Sequence, residues 1–108
     1  MRPVKFQNQD CFLLENKRIQ LILAQSIGPR ILGLNLFGKT NLLAELPDFK
    51  TPLPDGSEYH IFGGHRLWMA PENLRLTYDH DDHPVEIRTS QNTVTVKKKI
   101  EKRTGIEK

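Results

Sequence analysis

RIQLILAQSIGPRILGLNLF, Arg18–Phe37, is the longest apolar-rich stretch of the chain, and its period is that of a sheet. In Arg18–Ala24, Ile19, Leu21 and Leu23 fall on one face. Ile22 and Ala24 fall on the other, which predicts a strand buried on both sides. Gly28-Pro29 breaks the chain. Arg30–Phe37 then alternates again, with Leu32, Leu34 and Leu36 on one face. Ile31, Gly33, Asn35 and Phe37 take the opposite face. No apolar stripe of helical period is long enough to stand alone.

The neighbouring segments read the same way. Cys11–Leu14 is a short extended run, and the turn Glu15-Asn16-Lys17 joins it to Arg18–Ala24 as a hairpin. Gly38-Lys39 is a turn before a short strand over Asn41–Leu46. Pro47–Glu58 carries three prolines and Asp55-Gly56, so a loop is expected there. Tyr59–Phe62 is extended, Gly63-Gly64 turns, and His65–Ala70 runs until Pro71 stops it. Val85–Thr89 and Thr93–Glu101 form a second hairpin around Ser90-Gln91-Asn92. Lys98 sits on the apolar face of that last strand, which marks a strand end, an edge or a partly wet cleft. Short strands at turn-delimited spacing predict an all-β fold, an antiparallel β-sandwich.

The 108 residues fit one domain, taken as residues 1–108. No apolar run reaches the roughly 18 residues a membrane helix needs. MRPVKFQNQDC lacks the apolar core of a signal peptide. A cytoplasmic protein is therefore expected, with no membrane partner. Cys11 is the lone cysteine and reads as a small buried hydrophobe. The net charge of +3 is a property of the end of the chain, where Lys97, Lys98, Lys99, Lys102, Arg103 and Lys108 meet only Glu101 and Glu107. No aromatic residue is interleaved with these cations, so nucleic acid is not expected as a partner.

GGHRLWMAPE, Gly63–Glu72, gathers the residues best suited to chemistry. Its glycines permit positive φ and close backbone approach. His65 can donate, accept or change charge near neutral pH. Arg66 offers a fork of donors for hydroxyls or carboxylates. Trp68, the single tryptophan, has a flat face that can stack on a sugar ring. Glu72 can accept from hydroxyls or neutralise Arg66. On a strand, Arg66 and Trp68 share a face. Structural readings stand beside these: Trp68 as core, and Arg66–Glu72 as an ion pair.

Taken with SIGPRILGLNLFGKTNLLAELPDF, YHIFGGHRLWMAPE, TYDHDDHPVEI and TGIEK, this block resembles the N-terminal third of the galactose mutarotase-like superfamily, which includes the aldose 1-epimerases. The resemblance implies a mutarotase-like β-sandwich, here incomplete, and a monosaccharide or sugar derivative as partner. It implies substrate contacts from Arg66, His65, Trp68 and Glu72, with Arg66 matching the family's sugar-contacting arginine. His65 departs from the asparagine usual beside that arginine. The resemblance implies no cofactor and no metal, and isomerase chemistry by a histidine and a glutamate beyond these residues. The chain is then the binding part of a protein that continues, inactive alone. Two alternatives stay open: a non-catalytic sugar-binding module, and a structural domain that self-associates through open sheet edges.

Tyr78–His83, YDHDDH, holds two histidines and three aspartates, but its spacing and the following Pro84 read as a solvated surface loop rather than a metal site. His60 could line the same cleft as His65.

Overall fold

Nine strands and no helix follow one another in the computed structural model, which describes residues 1–108. They are β1 (Arg2–Phe6), β2 (Gln9–Glu15), β3 (Ile19–Ala24), β4 (Arg30–Leu36), β5 (Glu45–Pro52), β6 (Glu58–Gly63), β7 (His65–Arg66), β8 (Glu86–Ser90) and β9 (Thr93–Lys97). A five-stranded sheet has the order β1-β2-β3-β4-β7, and β5-β6 and β8-β9 form two ribbons. Every pairing is antiparallel. The fold is all-β and sandwich-like. No helix is long and apolar enough to cross a membrane.

The core lies on one face of the large sheet. Cys11 pairs with Ala24 across β2 and β3, and both are buried. Ile27, Leu32 and Phe62 complete the cluster, so β6 covers this face of the sheet. Leu32 reaches the core through a register shift at Ile22/Leu23, where Leu23 pairs with Ile31 and Ile22 with Gly33. An extra residue in one strand resets its alternation. The strict alternation expected for β4 therefore fails: Leu32 parts from Leu34 and Leu36, and Ile31 borders the opposite face with Leu21 and Leu23. Gly33 makes room at the bulge for the Ile22 side chain, whose Cδ1 would lie 2.8 Å from a Cβ there and would have to shift.

Three further expectations change. Pro47–Glu58 is not a loop throughout: β5 runs to Pro52 and pairs with β6, with an irregularity between Leu46 and Lys50. The prolines are accommodated because this ribbon has only two strands, and edge positions need fewer donors. Of the strand expected over Asn41–Leu46, Asn41 keeps one bridge to Asn35, and Glu45 and Leu46 open β5. His65–Ala70 shrinks to the two residues of β7, since only Arg30 and Ile31 remain to pair with them. β1 leaves little signal in the sequence, because Arg2–Phe6 shows only Val4 and Phe6 as an apolar face.

The C-terminal segment folds back instead of continuing β9. Lys98 is buried, and its Nζ lies 3.1 Å from both Asp79 Oδ2 and Glu101 Oε1 while donating to the His80 carbonyl at 2.8 Å. Lys108 closes on Glu101 at 2.8 Å. Burial alone would raise the Glu101 pKa, but hydrogen bonds from Lys108, Thr104 and Lys98 outweigh it and hold the carboxyl below its ordinary range. The cations at this end are thus partly spent on structure, which a charge count along the sequence does not show.

Candidate functional site: an arginine pair under an aromatic corner

Arg30 on β4 and Arg66 on β7 are direct cross-strand partners. Like charges placed opposite each other repel, so the pairing needs an anion. Asp81 supplies it. Its Oδ2 lies 2.7 Å from Arg30 Nη2, and both side chains are almost wholly buried. Arg30 Nη1 also donates to the carbonyls of Ile61 at 2.9 Å and Gly63 at 2.5 Å. Arg66 Nε lies 3.9 Å from the same Asp81 oxygen.

Tyr59 links the two halves. Its hydroxyl donates to Asp81 Oδ1 at 3.1 Å and accepts from Arg66 Nη1. Burial pushes the Tyr59 pKa far above the ordinary phenol range, and the Asp81 carboxylate adds to the rise. The phenol therefore stays protonated and keeps its donor role. Arg66 Nη2 donates to the Thr77 carbonyl at 2.8 Å. Asp81 is held through its backbone as well, because the Gly28 amide donates to its carbonyl at 2.8 Å.

Above this network lies an aromatic corner. The Arg66 guanidinium sits 4.8 Å from the Trp68 ring, 5.1 Å from Tyr59 and 5.9 Å from Tyr78. Contacts of this kind are favourable, more so when desolvated. Trp68 meets Tyr78 edge-on with centroids 6.0 Å apart, and it is 45% exposed. The Tyr78 hydroxyl donates to Glu72, and this bond raises the Tyr78 pKa.

The residues expected to act together are therefore distributed as follows. Arg66 and Trp68 do share a face and touch. Trp68 is not core. Glu72 does not pair with Arg66; it takes the Tyr78 hydroxyl, and Asp81 takes the arginines. His65 is exposed and borders a different place, an apolar groove of about 360 Å³ with Leu14, Leu21, Val94 and Val96. His60 does not join it; it lines a separate polar hollow. YDHDDH is a solvated loop only at Asp82 and His83, which are exposed: Asp81 is buried between the arginines, Asp79 binds Lys98, and His80 meets Ser57 at 3.0 Å. No group of three or more His, Cys, Asp or Glu side chains is arranged to hold a metal ion.

The glycines that open the motif have a steric reason. Gly63 and Gly64 have φ of 82° and 73°. A Cβ on Gly63 would lie 2.1 Å from the Ala44 carbonyl oxygen, and one on Gly64 would lie 2.2 Å from that of Ile31. The double glycine lets β6 turn tightly into β7 and sets Arg66 beside Arg30.

Sequence reasoning missed Arg30, Tyr59 and Asp81. They are separated from one another by 22 to 51 positions in the hydrogen bonds that join them. The available signal was an arginine at the start of an apolar strand, which is rarely buried without a partner. Comparison with protein-family models, curated proteins and solved structures finds no match to this chain.

Proposed function

We propose that the chain is the carbohydrate-binding part of a mutarotase-like protein and that it takes a monosaccharide or sugar derivative at the Trp68 corner. The observation that carries this reading is the exposure of the single tryptophan beside Glu72, Tyr78 and Arg66. An indole face accessible to solvent suits the apolar face of a pyranose, and an adjacent carboxylate suits its hydroxyls. Trp68 stacks on the sugar, and Glu72 accepts from it. Arg66 acts mainly from beneath: its Nη atoms donate to Tyr59 and Thr77, and it holds the indole in place. The reading is one of binding; no proton-transfer role is assigned to any residue of this chain.

The test uses the emission of Trp68, which reports on one place only. Titration with D-galactose and D-glucose shifts or quenches that emission saturably, and Glu72→Gln weakens the response. Emission unchanged up to about 100 mM of either sugar, well past the millimolar range of weak single-site binding, refutes the proposal.

A further inference from the structure

We infer that the outer face of the five-stranded sheet is an interface for a second copy of this chain. This face is turned away from the core of Cys11, Leu32 and Phe62. Its cross-strand rows are apolar. Leu21 stands opposite Leu14 on β2 and Leu34 on β4. Leu23 stands opposite Phe12 and Ile31, and Ile19 stands opposite Leu36. Side chains directly opposite share a face, so β2, β3 and β4 present one continuous apolar surface. Strands that are apolar on both sides are built to be covered on both.

The chain itself covers only one end of this face. β9 borders that end, and Leu23 alone of these residues is buried. Even there a groove of about 360 Å³ stays open between Val94 and Val96 of β9 and Leu14, Leu21 and Ile31 of the sheet. At the other end Ile19 and Leu36 are 42% and 54% exposed. Phe37, next in the chain, and Leu42, whose amide donates to the Leu34 carbonyl, are exposed as well. Contiguous apolar surface of this kind marks an interaction site.

Three features fit a second copy. The first is shape. A two-fold axis lying between two such sheets sets the Ile19–Leu36 end of each against the open groove of the other. Such a contact is isologous and closes on itself. The second is charge. The apolar rows carry none, and the ions on the β1 side of this face, Lys5 and Asp10, stand opposite each other and pair at 2.6 Å. Two copies therefore meet without repulsion, whereas a charged partner finds no free counter-ion here.

The third is extent. Strands β1–β4 have five to seven residues each. At about 3.4 Å per residue and about 4.8 Å between strands, their face covers about 400 Å² before Phe37 and Leu42 are added. Two copies remove about 1,000 Å² from water, close to the least that a specific interface needs. That size fits a weak dimer, half-associated near about 100 µM. The Trp68 corner stays free in it, because Arg66 pairs with Arg30 on the side of the sheet that β6 covers.

The experiment is sedimentation velocity of the chain from about 5 to about 500 µM, which brackets that range. The weight-average mass is expected to rise from 12.5 kDa towards twice that value. Ile19→Lys with Leu36→Lys places unpaired charges in the interface and raises the dissociation constant at least about tenfold. Both positions face solvent in the single chain, so circular dichroism and the melting temperature stay close to the parent. Phe49→Lys is the control, because Phe49 is 53% exposed on β5, off this face; it leaves the dimer intact. A mass that stays at 12.5 kDa up to about 500 µM overturns the inference. A dimer that survives Ile19→Lys with Leu36→Lys, as one paired through the free edge of β1 does, overturns it too. So does a dimer that Phe49→Lys weakens equally.

Discussion

Removing the Asp81 carboxylate strips the counter-ion from a buried arginine pair. In Asp81→Ala, Arg30 keeps its two backbone carbonyl partners but loses its only anion, while its side chain remains 2% exposed. The Tyr59 hydroxyl loses its acceptor at the same time. Breaking a buried ion pair from one side costs about 3–5 kcal/mol, because a charge stays behind in a medium that solvates it poorly. Domains of this size hold about 5–15 kcal/mol in all. At a urea slope near 2 kcal/mol/M the midpoint falls by about 1.5–2.5 M. Lys5→Ala is the control. Lys5 and Asp10 are paired at 2.6 Å but are more than half exposed, and such pairs contribute about 0–1 kcal/mol. Arg30→Met with Asp81→Leu removes the buried pair and recovers only part of the loss, because Arg66 still lacks its anion and Tyr59 its acceptor. Urea melts followed by circular dichroism measure all three. An Asp81→Ala midpoint within about 0.5 M of the parent, the range of the surface pair, would refute the argument that desolvation makes this carboxylate matter.

Gly64→Ala is expected to lose at least about 2 kcal/mol, since left-handed backbone costs a residue with a Cβ about 1–2 kcal/mol and the Ile31 carbonyl blocks the new atom at 2.2 Å. Gly56 has φ of 83° and nothing within 4 Å of a Cβ, so thermal melts of Gly56→Ala should show the conformational cost alone, about 1–2 kcal/mol; equal losses at both positions would remove the steric explanation of the double glycine. Burial pushes the Cys11 thiol up from 9.0 to about 11, so the folded state holds its proton more tightly than the unfolded chain does. The stability this gives is present below pH 9 and is lost as the pH rises towards 11. Native protein at pH 8 should react with a thiol reagent only at the rate of unfolding, and Cys11→Ala should flatten the alkaline part of the stability curve; rapid native labelling would contradict the burial.

Local patterns made much of the sheet legible. Hairpins β2–β3 and β8–β9 rest on contacts between neighbours in sequence, and the turn residues between them have few alternatives. Alternation failed where a bulge intervened, because register belongs to a pair of strands and not to one. The loop expected over Pro47–Glu58 failed for a related reason. Proline opposes a central strand, and whether a strand is central is decided by what pairs with it.

The amino-acid sequence by itself determined the sheet period, the buried Cys11, the turn at Gly63-Gly64 and the shared face of Arg66 and Trp68. Each depends on residues within a few positions of one another. Only the tertiary structure decided that Arg66 stands opposite Arg30 and that Asp81 rather than Glu72 neutralises them. These depend on desolvation and on distances between strands far apart in the chain. A charge placed in a loop by its neighbours in sequence was placed in the interior by its partners in space.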